Sequence, residues 1–273
     1  MFTTLLKYDL KSIGRWYIAL NAGILISSFA LGLSLRSFES FAQTTSSSPN
    51  HVMQLIPLIL AMIFGILVAG SWVATVIIIV RRFYQSIFGK EGYLTLTLPV
   101  TTHQIILSRL IAAFIWTLCN TLVLIIGVGL LILPMSGVGQ FLIALPHIVS
   151  LLTISKWEIL LVYLIAATIS EILMFYLAIT IGQLFTNRRI LMSFVAYFAI
   201  AIIGTVLSSI IDSHLLKNIV DISYFGYATI GEIIDILIFY FITYYLLENK
   251  VDILLLTQKL SNKITAENPQ ITI

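Results

Sequence analysis

The chain has 273 residues, of which 10% are charged and 59% apolar, and its net charge is +3. An ordinary soluble domain has about a quarter of its residues charged, so this composition excludes a water-soluble globule and makes lipid the principal solvent. The small positive excess is accounted for by membrane topology and attraction to anionic inner-leaflet lipid, not by a nucleic-acid partner.

The first sixteen residues place Lys7, Lys11 and Arg15 at four-residue spacing, with Phe2, Leu6, Leu10, Ile13 and Trp16 gathered on another side. Two readings fit: an amphipathic helix lying in the inner interface, or a basic flank that orients the first span. Both put the amino terminus on the cytoplasmic side.

Crossing the hydrocarbon layer takes roughly 20 apolar residues, and six stretches approach or exceed that length. They run from about Tyr17 to Leu35, Met53 to Val80, Leu110 to Leu133, Trp157 to Ile181, Ile190 to Ile211 and Tyr224 to Leu247. No small-residue cleavage site follows the first stretch, which therefore reads as a retained helix and not a removable signal. The expected fold is an all-α membrane protein of six transmembrane helices with both termini cytoplasmic. Residues 1–250 form a single transmembrane domain, and 251–273 form a cytoplasmic tail.

The loop after the first span, RSFESFAQTTSSSPNH, is rich in Ser and Thr and reads as a surface connection. A second outer segment, 134–156, holds two apolar pieces broken by Pro134, Pro146 and glycines. Each piece is too short to span, so a surface-lying or shallowly re-entrant helix is expected there. With the amino terminus inside, twelve of the fifteen basic residues fall on the inner side; the outer three are Arg36, Lys156 and Lys217. This asymmetry fits the positive-inside rule.

Between the second and third spans lies RRFYQSIFGKEGYLTLTLPVTTHQIILSR, residues 81–109, a polar and aromatic elbow with basic residues at both ends. Arg81 and Arg82 mark a lipid boundary, yet helix-compatible residues continue to Gly89. Gly89 and Gly92 then break the helix, and Pro99 prevents its continuation. Thr101 followed by Gln104 matches a capping box, which predicts a new helix that carries Arg109 into the third span. Phe83, Tyr84, Phe88 and Tyr93 read as exposed aromatics in need of a surface, and a soluble partner protein supplies one better than lipid headgroups do.

Three acids, Glu171, Glu232 and Asp235, interrupt otherwise apolar spans, where a charge is costly enough that it usually faces protein or water. Glu232 and Asp235 share one helix face. These acids either line a substrate path or are protonated or hydrogen-bonded packing elements. Asn21 and Asn120 read as interhelical hydrogen-bonders, Trp72 and Trp116 as packing residues, and Cys119 as a small buried apolar residue. The four histidines stand singly, with no neighbour at ligand spacing, and predict no metal site.

The stretch FGKEGYLTLTLPVTTHQIILSRLIAAFIW resembles the cytoplasmic loop between the second and third spans of the type-2 ABC transporter permease family. The shared pattern is Glu-Gly-Tyr-Leu running into Leu-Pro-Val, followed by a polar helix start and a basic residue. The basic amino terminus, the six spans and YYLLENKVDI at the last span are similar to that family as well. Glu91 is followed by Gly92 and Tyr93, not by the Glu-Ala-Ala of the importer loop, which favours the exporter branch.

The resemblance implies a permease subunit of an ATP-driven exporter in a bacterial cytoplasmic membrane. It assigns Phe83, Tyr84, Phe88, Lys90, Glu91, Gly92, Tyr93, Leu98 and Pro99 to coupling with a separate ATPase. The implied partners are two ATPase subunits, which would carry ATP and magnesium, and a second permease copy or a related permease. No cofactor is expected in this chain, because Gly89-Lys90 lacks the remainder of a phosphate-cradling loop. The weakly charged interior suits an amphipathic cargo, such as a peptide, an antimicrobial or a lipid-like molecule. Two other classes compete. One is an intramembrane protease or lipid transferase using the three acids, for which the sequence supplies no paired His, Glu-Glu or nucleophile-elbow motif. The other is a passive scaffold or immunity protein.

Overall fold

A computed structural model describes residues 15–44, 51–87, 102–150, 154–185, 188–214 and 223–267. The described residues form seven helices: α1 (Arg15–Thr44), α2 (His51–Ile87), α3 (Thr102–Ser136), α4 (Val138–Ser150), α5 (Ile154–Gly182), α6 (Arg189–His214) and α7 (Ser223–Glu267). Six of them, all but α4, are long and apolar enough to cross a membrane. The protein is therefore an all-helical, multi-pass membrane protein. The amino-terminal segment predicted to lie in the interface falls outside the described residues.

These helices form because lipid leaves the backbone no other partner: every N–H and C=O within the hydrocarbon must be satisfied inside its own segment. Hydroxyl side chains follow the same rule by bonding back to their own helix. Ser27 and Ser28 donate to the carbonyls of Ile24 and Leu25, and Ser71 and Thr75 donate to those of Val68 and Ser71. Thr180 and Thr229 do the same to Tyr176 and Phe225. A polar residue hidden in this way needs no interhelical partner.

The 37 residues of α2 rise about 55 Å at 1.5 Å per residue, well beyond a hydrocarbon core of about 30 Å. The helix consequently runs past Arg81 and Arg82 as far as Ile87, as the pattern of 81–89 predicts. α3 begins at Thr102, immediately after the predicted cap. Pro134 lies within its last turn, and Gly137, in the left-handed region at φ 78°, ends it. The Gly137 amide then bonds the carbonyl of Leu133, and the Gly137 carbonyl accepts from Phe141 of the next helix. Of the expected breaks in 134–156, the described residues show one at Gly137, the residue type that tolerates positive φ at least cost, whereas Pro146 lies inside α4 and does not interrupt it. Two helices outrun the limits expected from composition. α1 stays helical through Thr44, so 36–44 is helix and not the expected loop, and the backbone of α7 stays helical through Glu267, past the boundary at 250.

The chain divides into two compact units, 1–82 with 111–159 and 83–110 with 160–273. In the first, α1 packs against both α2 and α3. The Tyr17 hydroxyl lies 3.0 Å from Thr75 Oγ1, and its ring meets Trp116 edge-on at 5.8 Å. Gly32 lies so close to the Leu131 carbonyl that a side chain could not be placed between them, and Gly127 faces Ile24 and Ser28. Small residues allow these close helix approaches, which matter because lipid supplies no hydrophobic force to hold helices together. α4 folds back toward α3, with Phe141 beside Gly129.

In the second unit, Tyr163 near the start of α5 meets Phe225 near the start of α7, so these two helices run parallel. α6 returns antiparallel: Phe175 stacks on Tyr197 at 4.9 Å, and the end of α5 at Gly182 abuts Ser193 near the start of α6. The short link between them ends at Arg188, whose φ of 55° turns the chain and whose carbonyl accepts from Met192. Buried residues of this unit concentrate on α5, from Ser170 through Gly182.

Candidate functional site

The second unit gathers both helical ends that flank residues 88–101. Phe83, in the last turn and a half of α2, is fully buried and stacks on Tyr176 at 3.9 Å and 9°. This corrects the expectation of an exposed aromatic. The periodicity of 81–89 shows only that the helix continues, not which of its faces another helix covers. Tyr84 is half-buried. Phe88, Lys90, Glu91, Gly92, Tyr93, Leu98 and Pro99 lie outside the described residues.

On the other side of that segment, His103 in the first turn of α3 meets α7. Its Nδ1 is 2.7 Å from the Tyr240 hydroxyl, and its ring stacks on Tyr244 at 3.9 Å and 10°. Glu248 follows Tyr244 one turn further on, on the same helix face. Tyr240 carries no mark in the sequence, and Tyr244 enters only as the first residue of YYLLENKVDI. The four-residue spacing of Tyr240 and Tyr244 places both on one helix face, but nothing local says that a histidine of α3 will reach them. Two turns into α3, Ser108 and Arg109 are buried, so Arg109 is more than a boundary marker.

The structure brings two of the three intramembrane acids together. Glu171 on α5 and Glu232 on α7 are electrostatic neighbours, as the parallel register of those helices requires, and Tyr197 of α6 joins them beside Glu171. Asp235 is part-buried one turn further along α7. Glu171 itself is exposed at the surface of its unit. Among the described residues, no three His, Cys, Asp or Glu side chains converge on a common point at metal-ligand distance. What the patch offers is two carboxyl groups and a phenol near enough to feel one another's charge, able to meet a positively charged or hydrogen-bonding group.

Four single-residue expectations are corrected in the first unit. Cys119 and Trp72 are exposed, not packed, because an apolar side chain facing lipid loses little by not being covered. Asn21 donates through Nδ2 to the carbonyl of Tyr17 in its own helix and does not bond across helices. Asn120 is fully buried, with neither amide atom hydrogen-bonded to protein.

Comparison with family models, with curated proteins and with solved structures finds no match to this chain.

Proposed function

We propose that this protein is the membrane-spanning permease subunit of an ATP-driven exporter. In this reading the segment between α2 and α3 receives force from a separate ATPase. The observation that carries it is the anchoring of both flanking helical ends within one compact unit: Phe83 on Tyr176 of α5, and His103 on Tyr240 and Tyr244 of α7. A push on the intervening residues reaches four helices through packed aromatic contacts, and packed contacts shift between discrete arrangements instead of deforming smoothly. The resemblance of 88–109 to the exporter loop of type-2 ABC permeases supports the same reading. So does the distribution of basic residues, which fits cytoplasmic termini by the positive-inside rule; in this reading the membrane is a bacterial cytoplasmic membrane. Phe83 then acts as a buried brace. The docking contacts fall to Tyr84, Phe88, Lys90, Glu91, Gly92, Tyr93, Leu98 and Pro99.

The partners in this reading are two ATPase subunits, which hold the ATP and magnesium, and a second permease chain. The present chain performs no catalysis. Its cargo is amphipathic, a peptide or a lipid-like molecule, in keeping with the low charge of the spans. Purifying the tagged protein from its native membrane is expected to bring down an ATPase subunit, and Tyr93→Ala combined with Leu98→Ala is expected to reduce that recovery at least tenfold. Equal ATPase recovery from both proteins, or none from the wild type, overturns the reading.

Glu171, Glu232 and Asp235 are assigned to the path of the cargo. Replacing the two acids of α7 together, Glu232→Gln with Asp235→Asn, is expected to slow export severalfold while ATPase recovery stays at the wild-type level. Unchanged export would reduce these acids to packing elements.

A further inference from the structure

A second polar constellation sits in the first unit and shares no residue with the acidic patch or the elbow. α1 and α3 run parallel there in a constant register: the pairs Tyr17 with Trp116, Ser28 with Gly127 and Gly32 with Leu131 are each offset by 99 positions. The same offset sets Asn21 beside Asn120. α2 closes the third side, through Thr75 against Tyr17 and Leu67 against Gly23. Asn120 lies eleven residues beyond Arg109 in sequence. That separation is about 16 Å of helix and places its amide near the middle of a hydrocarbon core about 30 Å thick.

The hydrogen-bonding inventory of this layer is balanced. Thr75 donates to the Ser71 carbonyl, so its oxygen accepts from Tyr17, and those hydroxyls are used within the protein. Four buried groups have no bond to protein: the acceptors Asn21 Oδ1 and Asn120 Oδ1, and the donors Asn120 Nδ2 and Trp116 Nε1. Each such group costs several kcal/mol in hydrocarbon. Two acceptors and two donors suit one neutral group that both donates and accepts. A cation would leave the N–H groups unmatched, and an anion would face two amide oxygens. The described acids of this unit, Glu39 and Glu158, lie near helix ends, far along the sequence from this layer.

We propose that Asn21, Trp116 and Asn120 form an intramembrane binding site for a neutral hydrogen-bonding group, either a tightly held water molecule or the amide group of a bound molecule. The site is independent of the acidic patch in the other unit and of the exporter reading.

The test uses the full chain in phosphatidylcholine nanodiscs with Trp16, Trp72 and Trp157 replaced by Phe, so that Trp116 is the sole indole of the four. Its ¹⁵N-labelled N–H is followed by NMR and its emission by fluorescence. Held water gives a magnetisation-transfer peak between water and the indole N–H. A site for an amide group gives no such peak, but the indole resonance moves on titration with N-methylacetamide. In either case Asn120→Leu, and separately Asn21→Leu, shifts the emission to shorter wavelength and removes the peak or the response. The two substitutions lie on different helices, so the second serves if the first does not fold. A resonance that shows neither water transfer nor an amide response, with emission unmoved by both substitutions, overturns the proposal.

Discussion

Replacing Gly182 by alanine is expected to destabilise the protein by about 1–3 kcal/mol, the usual cost of inserting a methyl group into a filled contact. A Cβ at this position would overlap the Ser193 hydroxyl and lie 2.6 Å and 2.7 Å from the backbone N and Cα of Ser193. The hydroxyl can rotate away. The backbone of α6 cannot, because the turn at Arg188 ties it closely to the end of α5. Relief therefore requires the two helices to separate where α5 is most completely buried. The sign is informative, since alanine in a helix is otherwise favoured over glycine by about 1 kcal/mol. At Gly204, in the middle of α6, an added methyl group would meet nothing within 4 Å, and Gly204→Ala is expected to be neutral or slightly stabilising. Thermal unfolding of the two variants in the same detergent, followed by tryptophan emission, checks both. Gly182→Ala should fall by about 2–12 °C in midpoint, taking about 2–4 °C per kcal/mol for a chain of this size, while Gly204→Ala should not fall. Equal midpoints would mean that α5 and α6 do not meet at Gly182.

Phe83→Ala is expected to cost about 2–4 kcal/mol, somewhat below the 3–5 kcal/mol typical of aromatic truncation in a water-facing core. Two physical terms set the size. The stack on Tyr176 contributes about 0.5–1.5 kcal/mol beyond simple burial. The remainder is packing, whose hydrophobic share shrinks where the alternative surroundings are lipid and survives where they are wet. Phe83 follows directly on Arg81 and Arg82, so part of that share survives. Phe83→Leu keeps most of the volume and loses chiefly the ring stack, and should recover more than half of the midpoint shift. In the exporter reading the two substitutions have a further use: because Phe83 is buried, the alanine variant should lower stability and coupling while still recovering ATPase, unlike the Tyr93 and Leu98 pair. Loss of ATPase recovery with unchanged stability would return Phe83 to the docking surface.

Residues whose roles follow from local pattern were legible beforehand. The six spans are apolar runs too long for anything but lipid-crossing helices. The continuation of α2 past Arg82 and the start of α3 at Thr102 were set by neighbours within four residues, and so was the break near Pro134 and Gly137. Amphipathic reading fails inside a bilayer, because the outer face of a helix is as apolar as its packed face. Nothing in the local pattern distinguishes covered Phe83 from uncovered Trp72. The same blindness hid His103, whose partners lie 137 and 141 positions away.

What the chain determines by itself is its solvent and the number of its long apolar helices, because hydropathy acts within a turn or two. It does not determine all of their ends: α1 runs to Thr44 and α7 to Glu267, past the limits expected from composition. Tertiary structure alone decided that Glu171 lies near Glu232 of a parallel helix, that Asn120 lies level with Asn21, and that both helical ends beside the elbow are held in one unit. Those facts depend on which helices become neighbours and in what register. In lipid that choice is made by small residues and a few long-range polar and aromatic contacts, which leave no periodic trace in a single sequence.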